Sequence, residues 1–187
     1  MESIKIVGIV GSPRKGNTEI MVFETLEGAK VGGAETEMIL LRNKSIKLCD
    51  GSGGSAYEDD MEQIIRKMEE AKGIVIGSPT YFDNVSGLLK NFIDRTLPLH
   101  ETGKLKDKLL VVTVVGEADM QSINRVVDYL KIFGEICEMK FVGSVTAISG
   151  APGSVREDEN KIQELRQLGE RLAEVIKKVE EVKKDAV

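Results

Sequence analysis

Residues 11–18 read Gly-Ser-Pro-Arg-Lys-Gly-Asn-Thr, a run of small, hydroxyl, amide and cationic residues between a β-branched stretch and a helical one. A turn of this kind suits an anion, because a helix start presents unpaired N–H groups and the positive end of its dipole. Ser12, Asn17 and Thr18 add short hydrogen-bonding side chains, Arg14 a charged fork, and Gly16 a backbone free to close on a phosphate. That inventory fits a monophosphate; the same residues also suit an ordinary capped helix start. Two rival phosphate motifs fail. The spacing Gly11-x4-Gly16-Asn17-Thr18 approaches a nucleotide-triphosphate loop but has Asn17 where the lysine for the β/γ-phosphates must stand. A dinucleotide fingerprint needs Gly-x-Gly-x-x-Gly, whereas Gly8 and Gly11 are separated by strand residues Ile9 and Val10.

A second segment with chemical content is Gly77-Ser78-Pro79-Thr80-Tyr81-Phe82-Asp83-Asn84-Val85-Ser86-Gly87. Its backbone N–H groups can meet the carbonyls of a planar heterocycle, and Tyr81 and Phe82 offer flat apolar surface. Taken singly, those aromatics also suit core packing at a strand end. A third loop, Gly116-Glu117-Ala118-Asp119, carries two carboxylates that read as solvated loop acids. His100 is the sole histidine, so a histidine triad or multi-histidine metal site is excluded, and it reads as a surface or interface residue.

The elements that position these loops follow from periodicity. Residues 4–10, 35–41, 73–77, 109–115 and 140–148 read as strands, and 18–30, 59–72, 86–97, 121–133 and 157–184 as helices, with Thr18, Asp59 and Ser86 as start signals. The last helix shows the period best, with Ile162, Leu165, Leu168, Leu172, Val175, Ile176 and Val179 on one stripe. Strict alternation implies parallel strands joined by right-handed crossovers, hence a doubly wound α/β sheet covered on both faces. Ligand crevices in such sheets form at the carboxyl ends of the strands, where all three loops fall. With 187 residues, the chain reads as one domain, residues 1–187.

Composition bounds the partners. A net charge of -5 with interspersed signs and no basic stripe argues against nucleic acid. The apolar runs are strand-length and no leader pattern opens the chain, so the expectation is no membrane and a cytoplasmic location. Two cysteines, Cys49 and Cys137, give neither a disulfide framework nor zinc spacing; Cys137 reads as core, and Cys49 as either a reactive or an inert buried thiol.

Gly-Ser-Pro-Arg-Lys-Gly-Asn-Thr near the start, followed by Gly-Ser-Pro-Thr-Tyr-Phe and Leu-Lys-Asn-Phe-Ile-Asp-Arg, resembles the NADPH-dependent FMN reductase family. Within it the chain is similar to the iron–sulfur flavoproteins of archaea and anaerobic bacteria, over roughly residues 4–172. The resemblance implies a flavodoxin-like fold with five parallel strands in the order 2-1-3-4-5, noncovalent FMN and a homodimer or homotetramer with flavin near the interface. It places Ser12, Arg14, Asn17 and Thr18 on the phosphate and Pro79, Thr80, Tyr81 and Phe82 beside the ring, and Gly16, Ser78, Asn84 and Gly116 in the same loops complete the candidate cofactor-binding set. The implied activity is NAD(P)H-dependent electron transfer to a quinone, flavin or similar acceptor, with the flavin rather than a side chain carrying the chemistry. An electron carrier serving a redox protein partner is the alternative. One departure stands out. Such relatives carry a cysteine cluster before an Asp-Asp-Met helix start; here Asp59-Asp60-Met61 is present, but Ser52 and Ser55 stand where a Cys-x2-Cys-x2-Cys spacing from Cys49 needs thiolates. Four thiolates are the usual requirement, so no iron–sulfur cluster is expected.

Overall fold

The computed structural model describes residues 3–51 and 58–185. Ser52 and Ser55 lie outside the described residues. Five strands, β1 (Lys5–Val10), β2 (Glu35–Leu40), β3 (Gly73–Pro79), β4 (Leu109–Gly116) and β5 (Lys140–Ile148), form one parallel sheet in the order β2-β1-β3-β4-β5. This is the flavodoxin-like doubly wound arrangement implied above. The central β3 and β4 are buried at every residue, which is why their sequences run apolar without alternation.

Helices cover both faces. On one, α1 (Asn17–Val31) and α6 (Glu159–Asp185) enclose a core with Val10, Met21, Val75, Val111, Leu165 and Leu172. On the other, α2 (Met61–Glu70), α3 (Gly87–Asp94), α4 (Leu97–Glu101) and α5 (Met120–Ile136) cover the opposite face, whose core includes Ile9, Ile64, Leu89, Phe92, Leu99, Val112 and Leu130. α1 and α6 touch backbone to backbone: a Cβ on Gly28 would sit 1.9 Å from the Arg166 carbonyl oxygen, and one on Gly169 would sit 1.8 Å from that of Thr25. Any side chain there would push the helices apart and shift the start of α1, where the first functional loop ends.

Two boundaries differ from the sequence reading. The helix expected over 86–97 ends at Asp94 and resumes as the short α4, because Pro98 has no N–H to continue the ladder. The helix expected from Asp59 begins at Met61, whose N–H the Asp59 carboxylate accepts at 2.9 Å while its other oxygen meets Arg95.

Candidate functional site

The carboxyl ends of β1, β3, β4 and β5 converge on a cavity of about 380 Å³. Its phosphate-like end is the turn from Ser12 to Thr18. The Gly11 N–H donates to the Gly77 carbonyl at 2.8 Å, and the Ser86 hydroxyl, which caps α3 by accepting from the Leu89 N–H, donates to the Gly11 carbonyl. The turn is thereby tied to β3 and to α3. The Ser12 hydroxyl folds it further by donating to the Arg14 carbonyl at 2.8 Å and accepting from the Arg14 N–H at 3.3 Å. α1 then opens at Gly16 with no side-chain cap. Thr18 is not the helix start but part of the first turn, so the helix keeps uncapped N–H groups at the cavity wall.

Of the residues that sequence reasoning named, Ser12, Arg14, Gly16, Asn17, Thr18, Pro79, Thr80, Tyr81, Phe82 and Gly116 line this one cavity. Ser78 and Asn84 do not. Ser78 is fully buried in β3, with its hydroxyl donating to the Pro79 carbonyl. Asn84 closes a tight turn, where its side-chain oxygen accepts from the Val85 N–H at 2.8 Å. Asn17 lines the cavity, but its side chain is already engaged. It donates to Ser149 Oγ at 3.1 Å and the Ala151 carbonyl at 2.9 Å, and accepts from the N–H groups of Gly153 at 2.8 Å and Val155 at 3.3 Å. Four bonds saturate the amide, so Asn17 latches the loop after β5 against α1 and offers an anion only its backbone.

That latched loop is what the sequence reading missed: Ser149, Gly150 and Pro152 form a wall of the cavity. The turn formers at 150–153, set directly after the fifth strand on the same sheet edge as the other loops, were the available signal. Asp83 and Ser122 also line the cavity. The Ser122 hydroxyl, with Arg125 behind it, holds the Asp83 carboxyl below the usual aspartate range.

The wall of the cavity formed by residues 80–84 is shaped by strain. The Tyr81 N–H donates to the Asn84 carbonyl at 2.9 Å and the Asn84 N–H to the Tyr81 carbonyl at 3.0 Å, while Phe82 and Asp83 adopt φ of 49° and 59°. This is a hairpin turn of the kind that normally takes Asn-Gly. Placing an aromatic there costs on the order of 1–2 kcal/mol, and the result is a fully exposed Phe82 ring at the cavity mouth. Across the mouth, Arg14 reaches Glu117 at 3.8 Å, both side chains being exposed.

Whether these residues fit a flavin is tested by the polar atoms they leave open. Thr80 Oγ1 is buried in the cavity wall with no hydrogen-bond partner, a cost of about 1–3 kcal/mol unless a ligand acceptor or donor meets it. Beside it, a Cβ on Gly116 would come 3.1 Å from Thr80 Oγ1 and 3.0 Å from Ile123, so the glycine keeps this wall bare backbone. An uncapped helix start at one end and an orphaned hydroxyl beside bare backbone at the other match a phosphate ester joined to a planar heterocycle.

A family profile described as NADPH-dependent FMN reductase matches residues 4–153. An iron-sulfur flavoprotein of Methanocaldococcus jannaschii is 35% identical over 189 residues, covering 93% of this chain and 98% of the relative. Another, from Methanosarcina thermophila, is 31% identical, covering 95% and 97%. Among solved structures, a flavone reductase superposes with a TM-score of 0.75 at 27% identity, over 95% of this chain and 64% of that one. No group of three or more histidine, cysteine or acidic residues among the described residues is placed to hold a metal ion. Cys49 is exposed and Cys137 buried. Among the described residues, no helix is long and apolar enough to cross a membrane.

Proposed function

The chain belongs to the NADPH-dependent FMN reductase family, and from that premise we propose that it draws electrons from NADH or NADPH through FMN and passes them to a quinone, a free flavin or a similar small acceptor. The carrying observation is the single cavity that joins an uncapped helix start to the unpartnered Thr80 hydroxyl. Bound there, FMN supplies hydride acceptance and donation. The chain's own residues bind and orient. The first turn of α1 and Arg14 hold the phosphate, with Ser12 keeping the loop in shape, and Thr80 Oγ1 and the backbone at Gly116 meet the polar edge of the ring. Tyr81 and Phe82 present flat apolar surface to the ring and to whatever enters beside it. His100 lies away from the cavity, in a groove with Tyr129 and Phe133, so no imidazole stands ready to move a proton.

The reading extends to one flavodoxin-like domain in the cytoplasm, FMN without an iron–sulfur cluster, and a homodimer or homotetramer. The relatives' names attach a cluster to those proteins; Cys49 and Cys137 do not supply a thiolate set here. Reconstituted with FMN and mixed anaerobically with NADH or NADPH in a stopped-flow instrument, the protein should lose its bound-flavin absorbance within the dead time to seconds. If neither nucleotide bleaches it, the reductase reading fails. Sedimentation of the same preparation reads the subunit number, and a monomer refutes the assembly.

A further inference from the structure

Three charged side chains line the cavity: Arg14 after β1, Asp83 after β3 and Glu117 after β4. Asp83 is held from behind by Arg125 and by the Ser122 hydroxyl. Asp119, outside the lining, caps α5 by accepting from the Ser122 N–H at 2.7 Å. Glu117 has no such engagement. Its stem lies along the backbone after β5, where a Cβ on Gly150 would come 3.1 Å from its Cγ, so the glycine lets the carboxylate stand at the mouth. Among the described residues its one cation is Arg14, at 3.8 Å.

That contact is easily exchanged. The two side chains are 61% and 67% exposed and their separation is beyond hydrogen-bond reach, so the pair contributes little. A phosphate ester on the Ser12–Thr18 turn would offer the Arg14 guanidinium short, charge-assisted bonds to a dianion, which is the stronger partner.

We propose that Arg14 exchanges Glu117 for the cofactor phosphate, and that the carboxylate so released makes the cavity mouth negative, which lowers the potential of the bound flavin and turns anionic acceptors away. The inference rests on the flavin reading of the cavity and narrows it to acceptors without negative charge. Phosphate occupancy at one end of the cavity thereby sets the charge at the other. Hydride transfer converts NADH or NADPH to its oxidised nucleotide and leaves the flavin one negative charge richer. An unpaired carboxylate in the same lining disfavours that charge, so the reduced flavin gives up its electrons more readily. An anionic acceptor meets the same field on entry, whereas an uncharged quinone does not.

The test compares the flavin-stripped full-length chain with its Glu117→Gln and Glu117→Asp variants. Titrated with FMN and with riboflavin, which lacks the phosphate, Glu117→Gln should tighten FMN about threefold and leave riboflavin within about 1.5-fold. The gain should vanish in combination with Arg14→Ala. Spectroelectrochemical titration of bound FMN should show a higher midpoint potential in Glu117→Gln and an unchanged one in Glu117→Asp, which keeps the charge. In steady state, kcat/KM for a sulfonated naphthoquinone relative to its uncharged parent should rise about threefold in Glu117→Gln. Equal changes for FMN and riboflavin, or a gain that survives Arg14→Ala, would reduce Glu117 to a steric wall or a simple repulsion and overturn the exchange. A potential that stays or falls in Glu117→Gln, or an unmoved acceptor ratio, overturns the negative mouth while leaving FMN in its cavity. If the unaltered chain binds no FMN, the flavin reading itself fails and takes this inference with it.

Discussion

Two arginine–carboxylate pairs occupy opposite environments on this chain. Arg95 and Asp59 meet at 2.8 Å with side chains 4% and 1% exposed, whereas Arg14 and Glu117 face each other at 3.8 Å in open solvent at the cavity mouth. The buried pair is fully engaged. The Asp59 carboxylate also accepts from the N–H groups of Lys47 and Met61, and Arg95 donates to the Lys47 carbonyl, so the pair pins the segment before α2 onto the end of α3. Asn91 extends the brace by accepting from the Cys49 N–H. The exposed pair pins nothing: water competes for both partners, and such contacts are worth about 0–1 kcal/mol. One pair holds the fold together, and the other leaves a cation available to a ligand.

The largest effect that would break this contrast is at Arg95. Arg95→Ala strands the Asp59 carboxylate in the interior and should cost about 3–5 kcal/mol in a denaturant melt. A loss below about 1 kcal/mol would mean the buried pair is no more structural than the surface one. Acid sharpens the point. Burial alone would raise the Asp59 carboxyl, but Arg95 and the N–H groups of Lys47 and Met61 outweigh it and hold its pKa below the ordinary aspartate range. A carboxyl depressed in the folded state lends stability above its unfolded pKa, near about 3.9, and loses it as pH falls through the folded value. Stability against melting should therefore fall below about pH 4, and Asp59→Asn should flatten that part of the profile.

Arg14 should respond in the opposite currency. Arg14→Ala should leave the melt within about 0.5 kcal/mol yet weaken FMN by on the order of 1.5–3 kcal/mol in a fluorescence titration. Unchanged affinity would remove Arg14 from the phosphate site. The smallest effect, and the most diagnostic of the ring end, is Thr80→Val. Replacing an unpartnered buried hydroxyl by a methyl should keep or slightly raise the stability of the flavin-free chain while costing about 1 kcal/mol of FMN affinity. If both fall together, the hydroxyl serves the fold instead.

Much of this was legible beforehand. The strands and the loops at their carboxyl edge followed from alternating periods, the sheet order was implied by the family resemblance that two short motifs carry, and most of the named residues line the cavity. What escaped was of one kind. Asp59 reads only as a helix start signal, and it does accept from the Met61 N–H at the start of α2, but its carboxylate also closes on Arg95 from 36 residues away; Asn17 reads as a phosphate ligand until its amide is seen to be spent on residues 149–155. Ser78 sits in a motif beside residues that line the cavity, yet is fully buried with its hydroxyl spent on the Pro79 carbonyl.

Local pattern alone determined the elements, their parallel winding and the presence of an anion-suited turn, because periodicity, glycine and hydroxyl placement act over a few residues. The tertiary structure decided which polar atoms are used up and which are left open. Hydrogen bonds and ion pairs between distant segments consume donors and acceptors that a linear reading counts as free, and only after that accounting do Thr80 Oγ1 and the start of α1 stand out as polar groups left open in the lining of the cavity.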